Sequence, residues 1–208
     1  MNPLAPTYWL RAKRALAKSD PVMAGIIRSH PRITLQCRGE PFLTLVRAIV
    51  AQQISVRAAQ SIWDRVLVVA PEMRPEQILA VTHRRLAACG LSQRKAEYIA
   101  DLARHFADGG LQVDHWPAMG DEAIIEELVE VRGIGRWTAE MFLIFNLMRP
   151  DVLPLDDLGL QRAIRHNYFR GRPVSSRTMR RVAQVWAPWR SVATWYLWRS
   201  LDPIPVEY

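Results

Sequence analysis

The sequence predicts an all-α fold. Apolar residues recur at three- and four-residue spacing through almost the whole chain. Pro, Gly and Ser punctuate it at short intervals, as connections between antiparallel helices require. Only one stretch alternates with the two-residue period of a strand.

Taken in order, residues 7–18 and 20–29 read as two short helices. The second opens on Asp20-Pro21, a capping side chain followed by a residue whose missing N–H costs nothing in a first turn. Pro31 to Gly39 interrupts this pattern, and the alternation of Ile33, Leu35 and Cys37 predicts one short extended segment. From Pro41 the periodicity predicts helices over 41–53, 55–69, 75–88, 92–108, 121–130, 135–148, 157–168, 175–186 and 189–201. The tail DPIPVEY carries two prolines and is expected to leave the last helix as extended chain. The sequence has no low-complexity tract, internal repeat or flexible interdomain linker.

Composition narrows the function classes. A chain of 208 residues with 50% hydrophobic content can bury a substantial core, as one domain or two closely packed lobes. Lys and Arg number 28 against 20 Asp and Glu, a formal charge of +8, which favours a polyanionic partner, either nucleic acid or an anionic membrane surface. The longest apolar runs, such as Met141 to Phe145 and Val66 to Ala70, are far too short to span a bilayer, and the start lacks a signal peptide's apolar stretch. A soluble, intracellular, cytoplasmic protein is the expectation. Cys37 and Cys89 form no C-x-x-C pair, so one chain builds neither a disulfide framework nor an iron–sulfur cluster, and both are expected as buried free thiols. The five histidines show no helical ligand spacing, and no catalytic transition metal is expected.

The most informative stretch runs from Leu128 to Ile164. Gly133-Ile134-Gly135 makes a hairpin between two helices, where glycine permits close approaches and backbone conformations that a side chain forbids. The helix that follows directs unpaired amides outward, a site suited to a phosphate, and Arg132 and Arg136 flank it. Alone, such a turn also reads as a tight connection. Downstream, Leu153-Pro154-Leu155-Asp156-Asp157 leads into a helix, where one aspartate reads as an N-cap and the other as a first-turn residue.

Together, L-x-x-x-x-G-I-G-x-x-T-A, an apolar helix and P-x-D-D-x-x-x-x-R resemble the helix-hairpin-helix (HhH-GPD) DNA glycosylase superfamily, in its 3-methyladenine DNA glycosylase II branch. The stretch from Phe42 to Ser55 resembles the family's early helix, which ends facing the minor groove. Gly90 to Ile99 is similar to its second DNA-facing turn, and Trp186 to Ala193 to the alkylbase-specific branch. The resemblance covers about residues 40 to 200. The first forty residues read mainly as helix, so the amino-terminal β-domain of some members is not expected.

The resemblance implies a two-lobed helical structure with the active-site cleft between the lobes. Residues about 40–148 would form one lobe, with its hairpin over about 128–145, and about 1–39 plus 149–208 the other. It implies a glycosylase of base excision repair that flips alkylated bases, of the 3-methyladenine and 7-methylguanine class, out of double-stranded DNA. The family places an arginine five residues after the catalytic carboxylate, and Arg162 thereby selects Asp157. Neighbouring residues on a helix point about 100° apart, so Asp156 is read as a capping or backbone-positioning residue. Family members that also cut the strand carry a lysine in the second hairpin helix. Trp137 stands there, so hydrolysis is expected to stop at an abasic site.

The same resemblance puts Trp137 and Trp198 at the walls of the base pocket, with Met141 where some relatives have tyrosine. Trp63, Trp116, Trp186, Trp189 and Trp195 are expected as packing residues. Gln52 and Gln53 are candidates to fill the hole left by a flipped base, with Gln53 favoured as the wedge, and Leu91 is a second minor-groove contact. The family's hairpin often holds a monovalent cation, sodium or potassium, here through the main-chain carbonyls of Val129, Val131 and Ile134. The protein is expected to act as a monomer. A DNA-binding module without catalysis and a glycosylase for oxidised or mismatched bases are the competing classes. Asp157 argues against the first, and the missing lysine and cysteine cluster against the second.

Overall fold

Capping chemistry sets most of the element boundaries in the computed structural model, which describes residues 5–201. The helices are α1 (Trp9–Ser19), α2 (Pro21–Ser29), α3 (Pro41–Ala51), α4 (Val56–Val69), α5 (Pro75–Ala80), α6 (His83–Ala88), α7 (Gln93–Ala107), α8 (Asp121–Glu130), α9 (Arg136–Phe145), α10 (Leu158–Phe169), α11 (Ser176–Val182) and α12 (Arg190–Leu201). Short 3-10 helices cover Val113–Ala118 and Ala183–Trp186. Ser55, Thr82, Ser92 and Ser175 each accept a backbone N–H three residues on, and Pro21, Pro41 and Pro75 open their helices. Each such cap is worth about 1 kcal/mol.

The fold is all-helical, and among the described residues there is no strand. Residues 33–40 form no regular structure. Leu35 is fully buried but Cys37 is exposed, so the two-residue period that suggested an extended segment does not hold. Cys37 is therefore not the buried thiol expected, whereas Cys89 is. The expected helix over 75–88 is two helices, because Val81 is extended and Thr82 starts a new cap. The helix over 41–53 stops at Ala51, since Gln53 takes a left-handed φ of 57°. Likewise α9 ends at Phe145, ahead of Met148 at φ 55°. The tail 202–208, expected as extended chain, lies outside the described residues.

Two units divide the described residues, 5–37 with 143–201 and 38–142. The division falls inside α9 after Phe142, earlier than the boundary near 148 that the sequence suggests. Phe142 packs edge-on to Trp116 within the second unit, while Phe145 packs against Trp195 and Trp198 within the first. In the first unit α12 is central, touching α1, α2 and α10. Residues 191–197 of α12 are all buried, as a helix surrounded by others must be. Trp9 stacks on Tyr196 at 5.8 Å, and Asp20 anchors the layer around them. Its Oδ1 caps α2 through the N–H groups of Val22 and Met23, and its Oδ2 accepts from Tyr168 Oη (2.6 Å) and Trp186 Nε1 (2.9 Å).

In the second unit α7 is central, packed against α3, α5 and α6. An edge-on aromatic chain, Phe42 to Phe106 to Trp116 to Phe142, fills the core beside it. Trp63, Trp116, Trp186 and Trp195 are buried as expected, and Trp189 is half-buried against Tyr8. Among the described residues, no helix is long and apolar enough to cross a membrane, and no cluster of His, Cys, Asp and Glu is placed to hold a metal ion.

Candidate active site

In the first unit the chain entering α10 is tied down residue by residue. Ser191 Oγ accepts the Val152 N–H at 2.9 Å, and Asp151 takes both Nε and Nη2 of Arg190 at 2.7 and 2.6 Å. Gln161 Nε2 holds the Leu155 carbonyl at 2.8 Å, and the Asp157 N–H reaches the Pro154 carbonyl at 3.0 Å. Asp157 then caps α10. Its Oδ1 accepts the Leu160 N–H at 2.6 Å and Trp198 Nε1 at 2.8 Å. A carboxylate at a helix N-cap, held by two donors, is pre-oriented.

Asp157 is half-buried and Asp156 is exposed in the preceding turn. The N-cap is thus Asp157, not Asp156. The capping role expected for Asp156 falls to Asp157, whose extended backbone (φ −72°, ψ 116°) stands directly before the first residue of α10. Trp198 turns its indole edge to Asp157 and stacks face to face on Phe145, 5.8 Å between centroids and 14° from parallel. Trp195 meets it edge-on at 6.4 Å. One tryptophan therefore orients the carboxylate and is itself fixed by two aromatic neighbours. Gly159 makes this possible, since a Cβ there would lie 3.1 Å from Asp157 Oδ1 and 3.3 Å from Trp198 Nε1.

In the second unit three turns are joined by one network. Lys95 Nζ donates to the carbonyls of Val50 (2.8 Å) and Gln52 (2.6 Å), capping the C-terminus of α3 with a cation. Burial lowers the pKa of this ammonium. The Gln52 side chain donates to the Gly133 carbonyl at 2.9 Å. Gln52 is therefore a strut between α3 and the hairpin, while Gln53 beside it is exposed at the tip of the turn. Gly133 has φ 87°, and a Cβ there would sit 2.2 Å from the Tyr98 ring, so no other residue fits. Gly135 is less crowded by the protein itself. A Cβ there would meet nothing within 4 Å, and its φ is not positive, so neither space nor conformation requires glycine.

The Arg132 N–H donates to Asp101 Oδ2 at 3.0 Å, pinning the hairpin to α7. The flanking arginines are paired within the unit. Arg132 reaches Glu97 at 3.4 Å, and Arg136 binds Glu122 through both terminal nitrogens and Glu140 through Nε. The hydrogen bond and charge of Arg136 hold the Glu122 carboxyl below its usual range. Trp137 is 38% exposed in the first turn of α9, and Met141 is half-buried one turn later on the same side. Val131 accepts the Ile134 N–H, and the last carbonyls of α8, that of Val129 among them, have no helical partner. Leu91, expected as a groove contact, is 5% exposed.

Sequence reasoning missed Gly159, Phe145, Lys95, Tyr98 and Asp101. A glycine in the first turn of a helix, two residues after a candidate catalytic aspartate, was the one local signal available, since glycine is a poor helix former.

Residues 46–188 match the family described as HhH-GPD superfamily base excision DNA repair protein. The Bacillus subtilis protein YfjP is 31% identical over 188 residues, 86% of this chain and 66% of its own length, just under two thirds. DNA-3-methyladenine glycosylase 1 of Schizosaccharomyces pombe is 33% identical over 165 residues, 77% of this chain and 72% of that enzyme. The solved structure of the S. pombe 3-methyladenine DNA glycosylase Mag1 in complex with abasic DNA superposes with a TM-score of 0.77 at 29% identity, covering 91% of this chain and 96% of that one.

Proposed function

Because the chain belongs to the HhH-GPD superfamily of base excision DNA repair proteins, we propose that it is a DNA glycosylase releasing alkylated bases from duplex DNA, with Asp157 as the catalytic carboxylate. The observation that carries this reading is the double hydrogen bond on Asp157 Oδ1, from the Leu160 amide and Trp198 Nε1.

The chemistry follows from the substrate. A base such as 3-methyladenine is already cationic, so the C1′–N bond breaks with its electron pair leaving on a base that becomes neutral. Positive charge then develops on the deoxyribose. A fixed carboxylate stabilises that charge with no reorganisation during the reaction, a contribution of several kcal/mol. Water adds its oxygen to C1′ and loses a proton, leaving an abasic site.

Trp137 and Met141 on α9 and Trp198 on α12 are the residues we assign to the flipped base, since a cationic base is favoured by electron-rich aromatic faces. Gln53, exposed at a left-handed turn, is assigned as the wedge that fills the stack, with Gln52 bracing it from behind. Gly133, Gly135 and the amides that open α9 are assigned to the phosphate backbone, with Arg132 and Arg136 exchanging carboxylate partners for phosphate there. A sodium or potassium ion at the carbonyls of Val129, Val131 and Ile134 would add positive charge beside that phosphate.

Strand cleavage is not expected. An amine nucleophile is required for it, Trp137 occupies the hairpin position of the lyase lysine, and Lys95 already spends its ammonium on two carbonyls. The reaction is assigned to a monomer inside the cell.

Duplex DNA carrying 3-methyladenine, 7-methylguanine, hypoxanthine or 1,N6-ethenoadenine tests the reading. Release of an alkylated base with alkali-labile sites left behind is the expected result. Binding without release of any base would make the chain a DNA-binding module, and cleavage without alkali would overturn the monofunctional assignment.

A further inference from the structure

The charge of this chain is divided unevenly between its two units. Residues 5–37 and 143–201 contain 16 Arg and Lys against four Asp, whereas residues 38–142 contain 12 against 14 Asp and Glu. The unit that carries the hairpin is therefore formally negative. Its two hairpin arginines are also already paired with Glu97, Glu122 and Glu140. A protein drawn to a polyanion must take its attraction from elsewhere.

That attraction is concentrated after Asp157. From Leu158 to Leu201 there are nine arginines and not one Asp or Glu. Arg190 is paired with Asp151, and Arg199 is buried against Trp195. Five others, Arg170, Arg172, Arg177, Arg180 and Arg181, lie within twelve residues and are all exposed. Among the described residues none of their guanidinium groups makes a hydrogen bond or an ion pair. Arg177, Arg180 and Arg181 stand at i, i+3 and i+4 on α11, so they share one face, while Met179 and Ala183 are buried. Arg170 ends α10 at φ 52° and Gly171 follows at φ 80°, turning the chain toward α11.

Five guanidiniums without counter-charges repel one another, and that repulsion is relieved only by an anion. With Met179 buried and Val182 half-buried, α11 has no exposed apolar face to offer a membrane. A guanidinium fits a phosphate oxygen pair through two parallel N–H donors. We propose that Arg170, Arg172 and the Arg177, Arg180 and Arg181 face of α11 form a binding site for the phosphate backbone of duplex DNA, separate from the hairpin, and that this site supplies most of the salt-dependent affinity. The choice of duplex DNA as the partner rests on the glycosylase reading.

The test is the dependence of affinity on salt for an undamaged duplex, measured by fluorescence anisotropy with the whole chain. Each phosphate contact contributes roughly 0.9 to the slope of log K against log salt. R177Q/R180Q/R181Q is expected to lower that slope by roughly 3 while leaving melting temperature unchanged. R14Q/K18Q/R28Q, which removes the same charge from exposed positions of α1 and α2, is expected to keep nearly the parental slope. A parental slope in the α11 variant, or equal losses in both, overturns the proposal. Undamaged DNA makes the result independent of excision, so a protein that binds through α11 but releases no base would sink the enzymatic reading and leave this one standing.

Discussion

Two donors converge on one oxygen of Asp157, and the residues around it can be separated by what each supplies. Trp198→Phe keeps the stack on Phe145 and removes only the indole N–H. A hydrogen bond to a charged group is worth about 1.5–3 kcal/mol, so single-turnover excision is expected to fall about tenfold or more with little change in melting temperature. Gly159→Ala places a methyl 3.1 Å from Asp157 Oδ1 and against the indole. Alanine is the better helix former, so this variant is expected to keep its stability while losing rate, a split visible in parallel melting and kinetic measurements. Asp20→Ala tests the opposite case. It strips Val22, Met23, Tyr168 and Trp186 of their acceptor and leaves buried donors unpaired, which is expected to cost about 3 kcal/mol, or roughly 6–12 °C by thermal melting.

Among the elements, the hairpin and the α3 to α4 turn are held to α7 by Asp101, Lys95 and Tyr98. Burial pushes the Asp101 carboxyl up, but its hydrogen bonds from Arg104 and the Arg132 amide, with the charges of His105 and Arg104, outweigh this and leave its pKa below 3.8. A folded pKa below the unfolded one contributes stability that is fully present above 3.8 and lost as pH falls through the folded value. Amide exchange at Arg132 is expected to stay protected above pH 3.8 and to lose protection as the pH falls further, a step absent in Asp101→Asn. Lys95→Met removes the cation from the end of α3 and is expected to lower both stability and excision rate, with Lys95→Arg recovering part of each. These ties were not legible in the sequence. A lysine that satisfies carbonyls 45 and 43 residues away leaves no local pattern, whereas the helices themselves were visible because a 3.6-residue period repeats at every turn.

At the scale of the whole molecule, the helical class and the hairpin turn were legible in the sequence, because each depends on residues close together in the chain. It failed where contact or burial decides. Cys37 was misjudged, since exposure is set by neighbours distant in sequence, and the seat of Gly133 on the Tyr98 ring left no local sign. The imbalance of charge between the units was countable from the start, but it gained meaning only when the hairpin arginines were found paired. The most direct test of the account compares base release by the parent, Asp157→Asn and Asp156→Asn on duplex DNA containing 3-methyladenine, under single-turnover conditions with binding measured alongside. Asp157→Asn is expected to bind as the parent does and to lose about a hundredfold or more of its rate, while Asp156→Asn keeps most of it. Excision by Asp157→Asn at the parental rate, or loss confined to Asp156→Asn, would contradict it.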